Sequence, residues 1–116
     1  MKVVHYEDIP GKYMDGGPVK DLTGRVLIGK QDGADHFCMR SFVIGPGGYT
    51  PLHTHDWEHE IFCHQGNGAI YREGEWVPFT AGCCAFVPGG ELHQMKNTGT
   101  TPLVVVCLIP AGPPEL

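Results

Sequence analysis

Basic residues are scarce in this chain: eight Lys and Arg stand against thirteen Asp and Glu over 116 residues, a formal net charge of -5. Without a basic footprint, neither nucleic acid nor an anionic membrane surface is an expected partner. Long apolar runs are missing too. The longest, Leu103–Ile109, suits a buried strand and falls far short of a spanning helix. The N-terminal residues MKVVHYEDIPGKY carry charge and proline where a signal peptide needs an apolar stretch. Cysteine pairing has no signature: Cys38, Cys63, Cys83, Cys84 and Cys107 are odd in number and contain no C-x-x-C. A reduced chain in the cytoplasm is the expectation. Apolar positions show no helical period, which leaves little room for helix.

What is abundant is punctuation. Seventeen glycines and ten prolines imply many turns. Between them lie short strand-like runs: Arg25–Gly29, Phe37–Ile44, Glu60–His64, Ala69–Arg72, Cys83–Val87, His93–Lys96 and Leu103–Ile109. Gly66-Asn67-Gly68 joins two of them and predicts a hairpin. Many short strands at near-even spacing imply a sandwich or barrel. The chain is expected to be one all-β domain, residues 1–116, with a core over about 25–109. Residues 1–24 read as an N-terminal arm and 110–116 as a short tail.

Four of seven histidines fall in two clusters: His53, His55 and His59 in HTHDWEH, and His93 in PGGELH. An H-x-H pair on extended backbone turns both rings to one face and offers two neighbouring ligands. Imidazole nitrogen suits Mn, Fe, Zn, Ni, Cu and Co. A single H-x-H is weak; two clusters framed by glycine and proline are not.

The framing residues carry a family resemblance. Gly47-x5-His53-x-His55-x4-Glu60, followed by Gly66, resembles the first cupin motif. Gly82-x5-Pro88-x-Gly90-x2-His93-x3-Asn97 resembles the second at every specified position. The resemblance runs from about Arg25 to Ile109 and implies a double-stranded β-helix, the jelly-roll barrel of single-domain cupins. It also implies one divalent transition metal held by His53, His55 and His93 and by a fourth residue. Strand parity allows His59 or Glu60 to face that metal, not both. HDWEHEIF resembles a subgroup of small manganese-binding cupins with four histidine ligands, which implies His59. Glu60 is the alternative ligand, or an acceptor behind the ligands. Mn and Fe are the expected ions.

Four neutral imidazoles would leave a divalent ion its full charge, a strong Lewis acid. On a six-coordinate ion two positions stay open; a tetrahedral zinc site with four histidines would be closed and structural. Strand parity offers Arg40, Phe42, Ile44, Tyr49, Phe86 and Val105 as pocket residues, and the subgroup resemblance turns Cys107 toward the metal. For Arg40 an anion site and a surface ion pair are both open, and for Cys107 a small buried hydrophobe is the plain alternative. Trp57 is read as a shield or cover, and His64 as solvated rather than lining the pocket.

The expected function is that of a metal-dependent oxygenase, of dioxygenase type and capable of C–C cleavage, acting on a small organic substrate. Two alternatives stand beside it: a non-catalytic metal or ligand sensor, and a cupin isomerase or lyase. A homodimer is also expected, because KVVHY reads as an apolar strand with an unpaired edge.

Overall fold

In a computed structural model describing residues 1–116, nine strands follow one another. They are β1 (Lys12–Gly16), β2 (Val19–Ile28), β3 (Phe37–Tyr49), β4 (His59–Gln65), β5 (Asn67–Arg72), β6 (Glu75–Thr80), β7 (Cys84–Val87), β8 (Met95–Asn97) and β9 (Leu103–Pro110). The only helical pieces are two 3-10 turns, Tyr6–Asp8 and Lys30–Asp32. The strands form one antiparallel sheet in the order β6-β5-β8-β3-β9-β4-β7, with β2 and then β1 added beside β3. The sheet curls into a nearly closed barrel, which removes most of its edges.

Strand β3 is the spine, thirteen residues long. Along one side Ile44 pairs with Leu22 of β2, and along the other with Leu103 of β9. Period-two alternation then sends Leu103, Val105, Cys107 and Ile109 inward, where each is almost wholly buried. They meet Ile61, Cys63, Phe79, Val87 and Met95 in a single core.

Several details differ from the sequence reading. The stretch 1–24 contains β1 and more than half of β2, and Leu22 reaches the core. Its strand signal is weak because KYMDG mixes charge and glycine and buries little. KVVHY forms no strand, and Val3 and Val4 are exposed in irregular chain. Gly66 does not close a hairpin, because β4 pairs with β7 and β9 whereas β5 pairs with β6 and β8. It is a corner where the chain leaves one side of the barrel for the other. Its φ is +96°, and a side chain there would strike the Pro102 carbonyl. The hairpin lies further on, at Glu73-Gly74, both with positive φ as a type I′ turn requires. β6 was hidden by Pro78, which this strand accepts because it ends the sheet and need not pair on both sides.

Candidate metal centre

The segment between β3 and β4 has no named strand, yet it keeps extended alternation: residues 51, 53, 55 and 57 are partly buried and 52, 54, 56 and 58 exposed. That alternation, rather than a strand, brings His53 and His55 to one side. His59 opens β4 and His93 precedes β8. A two-way backbone bridge locks the two motifs together. His53 N–H donates to the His93 carbonyl at 3.2 Å, and His93 N–H to the His53 carbonyl at 3.1 Å. Gly90 N–H adds a bond to the His55 carbonyl at 2.7 Å. Gly89 has to be glycine, since a Cβ would collide with the Asp56 carbonyl oxygen.

Four imidazoles converge as a result. One ring nitrogen from each of His53, His55, His59 and His93 lies within 4.8 Å of all the others. With metal–nitrogen bonds of about 2.1 Å, opposite ligands would stand about 4.2 Å apart, so small shifts suffice for one ion. Three of the rings are oriented from behind. Nδ1 of His53 lies 3.0 Å from the Pro51 carbonyl, Nδ1 of His55 2.8 Å from that of Trp57, and Nδ1 of His93 2.8 Å from that of Glu91. A carbonyl only accepts, so each Nδ1 carries the hydrogen and each Nε2 keeps its lone pair free. Trp57 also stacks on His55, with centroids 4.4 Å apart and planes within 5°.

His59 is held differently. Its Nδ1 lies 3.1 Å from Arg40 Nη2 and 2.9 Å from Cys107 Sγ, while its Nε2 contacts His55 Nε2. Burial, followed by the Arg40 charge, pushes its pKa down to about 3. Burial also lowers His53 and His93. These three rings are thus kept neutral, as metal binding would require. Burial likewise raises the Cys107 thiol, against the pull of Arg40, so that sulfur stays protonated.

Glu60 points away. It is exposed and lines an outer groove of about 380 Å³ with His36, Phe37, Glu58, Leu108, Ile109 and Pro110. The group that could hold an ion is therefore four nitrogens, with no carboxylate among them.

The four rings open on a cavity of about 270 Å³. Arg40, Phe42 and Cys107 line it, together with Trp57. Phe86 does not: it is 60% exposed on the outer face of β7. Val105 and Ile44 are packed in the core below, and Tyr49, half-buried, stands outside the lining. Parity on a single strand cannot separate cavity wall from core floor, because both face inward. His64 is exposed, as its solvated reading had it. Arg40 forms no surface ion pair; it is 7% exposed and meets no carboxylate. Met14, Val19, Leu22, Thr50, Met95, Pro114 and Leu116 complete much of the wall. They come from segments whose local pattern carries no site signal.

The cupin domain model (Cupin_2) matches residues 40–109. The oxalate-binding protein of Thermotoga maritima is 38% identical over 87 residues, covering 72% of this chain and 70% of that protein. Among solved structures, the polyketide cyclase RemF of Streptomyces resistomycificus superposes with a TM-score of 0.89 at 32% identity, over 98% of this chain and 82% of that one. A Thermotoga maritima protein described as a predicted oxalate decarboxylase gives a TM-score of 0.83 at 27% identity, over 96% of this chain and 100% of that one.

Proposed function

This chain belongs to the cupin family, and from that premise we propose that it is a metal-dependent enzyme of oxygenase type. In this reading one divalent ion, Mn or Fe, is held by Nε2 of His53, His55, His59 and His93, and the substrate is a small organic molecule. The observation that carries the reading is what the cavity wall omits. Beyond the four histidines it presents no Asp, Glu, Lys or Tyr. An isomerase or lyase needs a group to take and return a proton; besides the histidines the wall offers only Arg40 and Cys107, whose thiol burial keeps protonated.

A bound divalent ion would supply a Lewis acid and, where redox-active, electron exchange with dioxygen. The chain's own residues do the rest. Phe42, Ile61 and Met95 offer apolar surface to the substrate body, and Trp57 covers His55 and keeps water from that side. The carbonyls of Pro51, Trp57 and Glu91 hold three rings in one tautomer throughout.

A second reading, metal-assisted cyclisation, draws support from the likeness to RemF across 98% of this chain. Dioxygen uptake separates the two. Purified protein loaded with Fe or Mn is screened against small aromatic and keto-acid substrates in an oxygen electrode. Turnover with stoichiometric oxygen consumption supports the oxygenase. Turnover that proceeds unchanged under argon supports the cyclase, and tightly held zinc without exchangeable water rules out both.

We also propose a homodimer and a reducing compartment. Phe62 and Phe86 sit on adjacent strands, 49% and 60% exposed on the outer face, an apolar pair that a second copy would cover. All five cysteines are free, as a reducing cytoplasm maintains. Sedimentation at micromolar concentration checks the dimer, and Phe62→Glu should give a monomer.

A further inference from the structure

Arg40 is the one lysine or arginine buried in the molecule, and it lacks a counter-ion. The chain's single ion pair joins Lys2 to Asp32, elsewhere. Arg40 Nη2 meets only His59 Nδ1 and Cys107 Sγ; Nη1 reaches the Glu115 carbonyl at 3.4 Å, and Nε has no partner. A charge-assisted bond to an anion is shorter, about 2.7–2.9 Å, and roughly twice as strong as a neutral one. A buried guanidinium surrounded by neutral acceptors is a costly arrangement that an anion would relieve.

The acceptor on Nη1 belongs to a lightly attached segment. Ala111 N–H donates to the His36 carbonyl, and beyond it no residue makes a backbone–backbone hydrogen bond. Gly112 then adopts φ +114°, a conformation natural to a glycine pivot. Pro114 and Leu116 form part of the cavity wall. Between them, the Glu115 carboxylate accepts one bond from Lys30 N–H at 2.9 Å. Leu116 remains 48% exposed.

We propose that Pro114–Leu116 is a displaceable seal on the cavity, and that the ligand displaces it by giving Arg40 an anionic oxygen, carboxylate or enolate, in place of the Glu115 carbonyl. The inference rests on the cavity being the ligand site, as proposed above. It narrows the ligand to an anion with an apolar body, since Met14, Val19, Leu22, Phe42, Ile61 and Met95 are what that body would touch. A purely polar dianion would leave this surface unsatisfied.

Benzoate and its neutral isostere benzamide serve as probes, titrated calorimetrically into the full chain with and without metal. Benzoate should bind about tenfold more tightly than benzamide, the worth of one charge-assisted bond. Its binding should speed hydrogen exchange at the Lys30 amide, which loses the Glu115 carboxylate. Deleting residues 114–116 should tighten benzoate, and Leu116→Ala should do so more weakly in a chain of full length. Arg40→Met should erase the preference for benzoate. Equal binding of the two probes, no binding of either, or benzoate affinity unchanged or weakened by the deletion overturns the proposal. Metal uptake, measured separately, keeps the two readings apart. A chain that takes no metal but prefers benzoate through Arg40 loses only the enzyme reading; one that takes metal without that preference loses only the seal.

Discussion

Arg40 Nη2 lies 3.1 Å from Nδ1 of His59, and both groups reach the same sulfur, Cys107 Sγ, at 3.0 and 2.9 Å. Arginine can only donate, so His59 accepts at Nδ1 and carries its hydrogen on Nε2, toward the free lone pair of His55 Nε2. Metal ligation through Nε2 would reverse this. The hydrogen must then sit on Nδ1, and the one acceptor within reach is Cys107 Sγ. Cys107 is thus the counterpart of the three carbonyls behind the other histidines.

Cys107→Val should therefore weaken metal binding by about 10–100-fold, the usual cost of losing a group that orients a ligand. The barrel should still fold, because valine suits this buried position. Competition with a colorimetric chelator measures the change, and an affinity equal to the parent's would refute the role.

Alanine at His53, His55, His59 or His93 should each cut metal content sharply, with the β-rich circular dichroism spectrum kept. Glu60→Ala should leave metal content unchanged, since that side chain faces solvent. Elemental analysis after dialysis decides. Full loading of His59→Ala together with loss in Glu60→Ala would falsify the four-nitrogen set.

Acid should act on both stability and loading. Burial holds His53, His59 and His93 below 6.5 in the folded state, with His59 at about 3. The unfolded chain thus binds more protons than the folded one between those values. Stability from these rings is complete above pH 6.5 and is lost progressively as pH falls toward 3. Denaturant titrations of metal-free protein should show midpoints dropping across that window. For the loaded protein, metal release above about pH 3 should take up fewer than four protons per ion, because the freed His59 stays neutral there, a count obtainable by calorimetry in buffers of different ionisation enthalpy. Release that takes up no proton as pH falls from 6.5 toward 3 contradicts an all-histidine site.

Gly89→Ala should cost about 1–3 kcal/mol, the range for forcing a methyl into a packed site. The added Cβ would press on the Asp56 carbonyl and part the two motif loops. Metal affinity should fall with stability, whereas Gly74→Ala, where a Cβ meets nothing, should lower stability through its positive φ alone. Thermal melts and chelator competition on both variants test this pairing.

Much of this was legible in the sequence because glycine, proline and histidine carry local rules. Strands β3, β4, β7 and β9 follow from short β-rich runs set between turn residues, and the four histidines from two spaced motifs. The choice of His59 over Glu60 needed the family resemblance, since parity alone admits either. The assignments that failed depend on distant partners. Whether Gly66 makes a hairpin or a corner is decided by Pro102, thirty-six residues on. Phe86 reads as an inward residue until β4 beside it fixes which face is outside. The tail gave no sign of reaching the cavity, because a proline-glycine segment is placed by what it meets, here Arg40 and Lys30.

The backbone bridge between His53 and His93 has a consequence for the metal itself. Because main-chain bonds set the spacing of the two loops, a socket built on them would stand ready before an ion arrived and would outlast its departure. Such a chain differs from small zinc domains, whose folding and loading are one event. An ion held there could then be swapped without the barrel coming apart, and four imidazoles discriminate poorly among first-row metals. The occupant should then mirror the metal pool around the protein, so that a culture grown in manganese and one grown in iron yield the same polypeptide with different reactivity.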